Sequence, residues 1–511
     1  MVEQATSRNT SNIKIAKNVF YLYIRLFLIL IIGLFTSRVI LDCLGPVDYG
    51  LYNVVGSLVS IFTFVSGALS SSSSRFMAVE LEVGNQETQN KVFCMTVNLH
   101  LLLIVIVVIC AETVGLWYLY SKMIIPEDRL YASVVVFHLS CISAIFSILV
   151  IPYRALIIAN ERMKAFAYLS IFEIMANLII ALSLYYGGID RLILFGIMSF
   201  VVQVGVDLSY YFYCRRYCVE SSFHLIWDNK LFKDMISFSG WSTCGNLSSG
   251  VVNQCYNLIL NLFFGPVVNA ARAVAYQVQT KVTQFATNFQ IALNPQLIKN
   301  YAANDIKRVE NLVVMSIKLS FSLMLILFFP ILTNIEGVLS LWLVEVPKDT
   351  NVFVVFVCVT QILSSMSNPF GVVAEAANQV KKRVLFTVPI FVLALPISYL
   401  GLSYGYSARY VFVVALFAQF IALWVEYFIA RSVVSEKLYD TFILMCKCIG
   451  TLILFMGASF LLRLYFDNSL LSVVICGLIC LVLSLLWVLF FIISKKERLL
   501  VFDRVRSIIM H

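Results

Sequence analysis

Charged residues are scarce in this chain of 511 residues: Asp, Glu, Lys and Arg make up 13% of it, against about 25% in an ordinary soluble domain. Apolar residues make up 61% and occur in long runs separated by short polar segments. A helix needs about 20 predominantly apolar residues to cross a bilayer. The composition therefore excludes a soluble enzyme and favours an all-α polytopic membrane protein.

Metal ligands and catalytic motifs are also few. There are four histidines, and the 13 cysteines lie mostly inside apolar runs without the paired C-x-x-C spacing of a zinc site. No P-loop, H-E-x-x-H or G-x-S-x-G pattern occurs. We therefore expect no disulfide framework, no metal, no cofactor and no enzyme activity. The net charge of +9 is spread over many short loops, which argues against a nucleic-acid partner.

Hydropathy and helix-breaking residues predict fourteen membrane spans, an even number that places both termini on one side. Most Lys and Arg residues outside the spans fall in the loops on that same side. By the positive-inside rule, both termini are expected in the cytoplasm. The predicted spans are 17–37, 51–70, 92–119, 130–151, 165–187, 191–213, 234–263, 267–293, 311–334, 352–378, 384–404, 408–430, 440–462 and 469–493.

An internal repeat is visible when the sequence is shifted by 220 residues. Leu44-Gly45-Pro46-Val47 then falls on Phe264-Gly265-Pro266-Val267, and the first span falls on the seventh. The repeat contains six helices, so its two copies have the same orientation and are related by an axis along the membrane normal. We predict a cytoplasmic N-terminus (1–16), a six-helix bundle (17–213), a cytoplasmic linker (214–233), a second bundle (234–430), two additional helices (440–493) and a cytoplasmic tail (494–511).

Polar side chains follow one face of the seventh and eighth spans. A water-filled cavity would satisfy such amides, and so would hydrogen bonds between helices. For the seventh span we favour the cavity, because five successive small or amide positions exceed what one packing contact requires. The positions are Asn246, Gly250, Asn253, Asn257 and Asn261 in the seventh span, and Gln277, Lys281, Gln284 and Asn288 in the eighth.

Ionisable residues inside spans usually face a cavity or a partner charge. Lys281 lies mid-span on the amide row, Arg25 lies within the first span, and Arg272 is expected near the periplasmic mouth. Glu173 and Asp207 lie in the fifth and sixth spans. Each of the two acids is a candidate for ion coupling, or for neutralising a nearby arginine such as Arg25.

Several short motifs follow one another in the first half of the chain: Arg38, Leu44-Gly45, Tyr49-Gly50, Arg75, Gly84-Asn85, Pro152 and Ala159-Asn160-Glu161-Arg162-Met163. Their order resembles the Wzx-type polysaccharide flippases, which act on O-antigen or capsule precursors and belong to the MOP (MATE-like) transporter superfamily. The resemblance implies a protein that moves undecaprenyl-pyrophosphate-linked oligosaccharide from the cytoplasmic to the periplasmic leaflet of a bacterial inner membrane. It also implies the bilayer and polysaccharide polymerase or assembly proteins as partners, with the chain itself a monomer.

With this resemblance, the polar residues become candidate substrate contacts. Similar lipid II flippases carry a cavity arginine in the first helix, and Arg25 is the matching position. A MATE-like drug or cation antiporter is the alternative, although that class more often has twelve spans and an acidic site. The expected pyrophosphate contacts are Arg25, Lys281 and Arg272, and the expected glycan contacts are Asn253, Gln254, Asn257, Gln277 and Gln284.

Overall fold

Every element in the described part of the chain is a helix. A computed structural model describes residues 31–63, 66, 77, 86–160, 163–186, 188, 190–434, 439–463, 465–466, 469–493 and 498. Residues 31–63 are helical without a break. We call residues 31–44 α1 and residues 46–63 α2, because Gly45 between them has a φ of 73°. The third helix, α3, comprises Gln86–Cys110, a π-helical turn at Ala111–Gly115 and Leu116–Ser121.

The remaining helices confirm the all-α fold class. They are α4 (Leu130–Ala159), α5 (Met163–Ser183), α6 (Arg191–Tyr217), α7 (Asn229–Phe264), α8 (Pro266–Ala302), α9 (Ile306–Thr333), α10 (Ile335–Trp342), α11 (Thr350–Ala376), α12 (Val380–Ser403), α13 (Arg409–Val434), α14 (Tyr439–Leu462) and α15 (Leu470–Trp487, continued by a π-helical turn at Val488–Ile492).

Nine of the described helices are long and apolar enough to cross a membrane. Each of the fourteen predicted spans overlaps a described helix, while the number of crossings stays a prediction. Several boundaries differ from expectation, among them the following three. Helix α4 continues past 151 to Ala159, α7 begins at Asn229 and so shortens the linker, and the loop expected after 334 contains the short helix α10.

The repeat is visible in the backbone of the two halves. Gly45 and Gly265 have φ values of 73° and 76°, the left-handed region that favours glycine. The irregularity of the third helix also recurs 220 residues later. The π-helical turn at Ala111–Gly115 corresponds to the break between α9 and α10 at Asn334. The two halves therefore share these backbone features, as the internal repeat predicts, and α14 and α15 follow them. The division into two six-helix bundles stays a prediction.

The two halves meet at one end of the bundle. We call the end that holds residues 218–228 the linker end, and the opposite end the outer end. At the outer end, a Cβ added to Gly50 would lie 1.8 Å from the carbonyl oxygen of Pro266, so the two backbones are in direct contact. The Tyr118 hydroxyl donates to the carbonyl of Leu258 over 2.8 Å, and the Trp342 indole donates to the carbonyl of Leu34 over 2.9 Å. These contacts close the outer end.

Candidate polar cavity

A cavity of about 830 Å³ lies between the closed outer end and the linker end. It is lined mainly by α1, α2, α4, α5 and α6, and α8 contributes Gln277 and Lys281. Hydroxyl groups are numerous in its wall. The serines among the described lining residues are Ser37, Ser60, Ser66, Ser140, Ser143, Ser147 and Ser199.

Lys281 is placed in this wall, as its mid-span position predicts. It lies 15 residues into α8, about 22 Å from the outer end at 1.5 Å per residue, and its side chain is partly buried. A Cβ added to Gly33 of α1 would lie 2.9 Å from its ammonium nitrogen, so the glycine makes room for the cation. Among the described residues, no carboxylate forms an ion pair with Lys281. One turn earlier, Gln277 donates a hydrogen bond to the Tyr49 hydroxyl.

A second cation of the cavity, Arg154, lies five residues from the end of α4, near the linker end. Its guanidinium donates to Asp207 over 2.7 Å and lies 4.6 Å from the centre of the Tyr210 ring. Asp207 is 2% exposed and also accepts hydrogen bonds from Ser147 and Gln203. Asp207 is therefore the buried counter-ion of Arg154, and its oxygens already have partners.

Glu173, the other predicted acidic candidate, lines the cavity directly from α5. Asn177, one turn further along the same helix, lines it too. Among the described lining residues, the cavity thus has two cations, Lys281 and Arg154, and one carboxylate, Glu173. The structure brings together Lys281, Gln277 and Glu173 from the predicted set.

Two asparagines of the α7 row are packed between helices. Asn257 is 3% exposed, donates to the Ser57 hydroxyl over 2.5 Å and accepts from the Asn269 amide over 2.7 Å. Asn261 is fully buried and accepts from the backbone of Ile124 over 2.9 Å. These amides hold α7 against α2, α8 and the outer loop. In this structure Asn257 and Asn261 make interhelical and loop hydrogen bonds, and neither is among the described lining residues of the cavity.

The side chain of Arg272 also points into the protein interior. It is 6% exposed, donates to the backbone and side-chain oxygens of Asn253 over 2.6 Å each, and lies 4.3 Å from the centre of the Tyr276 ring. Neither Arg272 nor Asn253 belongs to the described cavity lining, and the same holds for Gln254 and Gln284. Arg25 and the side chain of Asn246 lie outside what the structure describes.

Arg154 is the functional candidate that sequence reasoning missed. The predicted fourth span ended at 151, beside Pro152, which placed the arginine in a loop. Proline is tolerated inside membrane helices when neighbouring helices satisfy the freed backbone groups, and α4 continues through Pro152 to Ala159. The spacing of Ser147 and Arg154, seven residues apart on one helix face, was the signal available in the sequence.

The fold is that of a multi-pass membrane protein, and two solved structures share it. A multidrug resistance MATE family transporter of the MOP superfamily, in an inward-facing conformation, is 14% identical with a TM-score of 0.63 over 79% of this chain and 94% of that chain. The lipid II flippase MurJ, in an inward closed conformation, is 15% identical with a TM-score of 0.64 over 91% and 98%.

The family follows from the sequence. The family model described as polysaccharide biosynthesis protein matches residues 15–303, more than half of the chain. The chain belongs to this family of polysaccharide biosynthesis proteins. No curated protein sequence matches it.

Proposed function

We propose that this protein is a flippase that moves undecaprenyl-pyrophosphate-linked oligosaccharide from the cytoplasmic to the periplasmic leaflet of a bacterial inner membrane. The observation that carries the proposal is a cavity of about 830 Å³ that holds Lys281 and Arg154 among hydroxyl and amide side chains. The polysaccharide biosynthesis family and the likeness to a lipid II flippase structure support it.

The chemistry of the wall suits an anionic headgroup that carries sugars. An ammonium such as that of Lys281 binds phosphate as a point charge, and the guanidinium of Arg154 binds it bidentately. Gln277, Asn177 and the serines provide hydrogen bonds for glycan hydroxyls. The prenyl chain remains in the bilayer while the headgroup crosses. Arg25 stays a proposed third cation.

The closed outer end supports an alternating-access route. The cavity reaches Arg154 near the linker end, whereas Gly50 and Pro266 join the halves at the outer end. With cytoplasmic termini, as the loop charges predict, the headgroup enters from the cytoplasm and leaves after the outer contacts separate. Two parallel repeats suit such a rocking motion.

The test is translocation of a pyrophosphate-linked glycolipid in proteoliposomes, measured by leaflet accessibility. We expect Lys281→Gln to slow translocation about tenfold or more, because a lost hydrogen bond to a charged group costs about 1.5–3 kcal/mol. Lys299→Gln is the matched control, since Lys299 is an exposed lysine in the last turn of the same helix. Gly33→Val displaces the Lys281 ammonium without changing charge and is expected to slow translocation too. Equal rates for the parent, Lys281→Gln and Gly33→Val would contradict the proposal.

A MATE-like antiporter is the second candidate, favoured by Glu173 in the cavity wall and by the likeness to a MATE transporter. Cationic drugs need an accessible carboxylate. In the same proteoliposomes, uptake of a cationic dye that depends on an ion gradient and is lost in Glu173→Gln would favour the antiporter. Two cations against one carboxylate in the described wall favour the flippase.

A further inference from the structure

The segment between the halves, residues 218–228, has its polarity reversed relative to a loop in water. Ser221 is buried, at 2% exposure, whereas Leu225 and Val219 are 85% and 71% exposed. A water-exposed loop normally buries its aliphatic side chains and exposes its hydroxyls. The reversal is favourable where the surroundings of the loop are partly apolar.

Side chains of α3 hold the backbone of this segment in place. The Asn90 amide donates to the carbonyls of Glu220 and Ser222 over 3.0 and 2.6 Å. The Asn98 amide donates to the carbonyl of Ile226 over 2.5 Å. These bonds from α3 satisfy three backbone carbonyls of the irregular segment 218–228 and hold its backbone in one orientation. The aliphatic side chains of the segment therefore point outward as part of the fold.

An ion pair secures the end of the segment. Lys91 of α3 lies 2.7 Å from Asp228, which also accepts from the backbone of Lys230 and Leu231 as the N-cap of α7. The hydrogen bond from Lys91 lowers the pKa of Asp228 to about 2. The negative charge of Asp228 is thus neutralised locally, so it does not offset the basic residues around the segment.

The outward side carries cations and an aromatic anchor. Arg215 and Arg216 lie in the last turn of α6, and Lys230 and Lys233 lie near the start of α7. All four side chains are exposed. Trp227 is 53% exposed. Tryptophan collects at membrane–water interfaces, and basic residues beside a span are attracted to anionic lipid headgroups.

We propose that residues 215–233 form a lipid-binding surface that inserts Val219, Leu225 and Trp227 into the headgroup layer at the linker end and binds anionic phospholipids. Charge complementarity selects the occupant, because four cations surround the aliphatic patch, whereas it holds two acids, Glu220 and Asp228, and Asp228 is paired with Lys91. The position of the segment agrees with this, since it joins the end of α6, which is long and apolar enough to cross a membrane, to the start of α7, which holds the seventh predicted span. The inference is independent of the transported substrate.

The experiment is fluorescence quenching in proteoliposomes of the purified full-length protein. The chain has six tryptophans, so the signal of Trp227 is the difference between the parent and Trp227→Phe. Acyl-brominated phosphatidylglycerol and phosphatidylcholine are compared at equal mole fraction, and aqueous iodide reports exposure to water. We expect both brominated lipids to quench Trp227, with phosphatidylglycerol the stronger quencher.

The variant R215Q/R216Q/K230Q/K233Q distinguishes the contribution of the four cations from that of the apolar side chains, because it removes only the cations. Each cation near an anionic surface contributes roughly fivefold to partitioning. We therefore expect the variant to lose the preference for phosphatidylglycerol and to keep the quenching by phosphatidylcholine. The matched control, Lys299→Gln with Arg308→Gln, removes exposed cations of another loop at the same end and keeps the preference. If iodide quenches Trp227 and neither brominated lipid does, the segment faces water or a protein partner and the proposal is wrong. Equal quenching by the two lipids in the parent overturns the anionic preference.

Discussion

Arg129 donates a hydrogen bond to Asp190 over 2.5 Å, and the same brace recurs in the second half with its charges exchanged. There Arg409, the first residue of α13, lies 2.6 Å from Asp349, the residue 220 positions after Arg129. In both halves the pair ties the start of the fourth helix of the repeat to the start of the sixth at the outer end. The repeat has therefore kept the contact and inverted the residues that make it.

The two braces are predicted to differ in strength. Arg129 also lies 3.2 Å from Asp48, whose side chain is 7% exposed, whereas Arg409 is 54% exposed. Arg129→Gln leaves a buried carboxylate without its counter-ion and is expected to cost about 1–3 kcal/mol. Arg409→Gln is expected to cost less than about 1 kcal/mol, as for surface ion pairs. Thermal unfolding in detergent measures both, and equal losses would contradict the prediction.

Gly50 is predicted to be required for closure of the outer end. A Cβ there would lie 1.8 Å from the carbonyl oxygen of Pro266, so Gly50→Ala forces two backbones apart. Overpacking costs typically about 1–3 kcal/mol. Gly56→Ala on the same helix is the control, because no atom lies within 4 Å of its added Cβ. We expect the melting temperature to fall in Gly50→Ala and to stay at the parent value in Gly56→Ala. Identical melting curves for the two variants would refute the role of the contact.

The pair of Arg154 and Asp207 is predicted to show strong coupling. Arg154→Gln leaves Asp207, 2% exposed, without a counter-ion, and loss of one partner of a buried pair costs about 3–5 kcal/mol. Because Arg154 is 34% exposed, solvent reduces the cost toward or below the lower end of that range. The double variant Arg154→Gln/Asp207→Asn is expected to be more stable than Arg154→Gln alone. Chemical or thermal unfolding of the four proteins gives the coupling, and additive losses would show that the pair is not coupled.

The ion pair of Asp228 and Lys91 is predicted to make the stability of the folded protein depend on pH in the acidic range. The pKa of Asp228 is lowered to about 2 by the hydrogen bond from Lys91, below the ordinary value of about 3.9. The stabilisation is therefore present above the ordinary pKa and is lost as the pH falls through the folded value. Asp228→Asn keeps an N-cap and removes the charge, so its melting temperature is expected to fall below that of the parent at pH 7 and to approach it near pH 2. Lys91→Gln removes the other partner of the ion pair and is expected to show the same pH dependence. A difference in melting temperature between variant and parent that is the same at pH 7 and near pH 2 would contradict the lowered pKa of Asp228.

The helices and the repeat could be predicted because long apolar runs and the Gly-Pro pairs that begin at Gly45 and Gly265 are local signals. The asparagine row of α7 could not be assigned from sequence. Its spacing places the amides on one face, but only packing decides whether that face meets water or the partners Ser57 and Asn269. Arg154 was missed for a related reason, since a proline was taken as the end of its span.

The described wall of the cavity draws almost wholly on the first half of the chain, and the second half contributes Gln277 and Lys281. The two repeats thus contribute unequally to the wall of the cavity. If the proposed function holds, chimeras between relatives that handle different glycans are expected to inherit their cargo preference from the amino-terminal donor, because the carboxy-terminal donor supplies only Gln277 and Lys281 to the described wall.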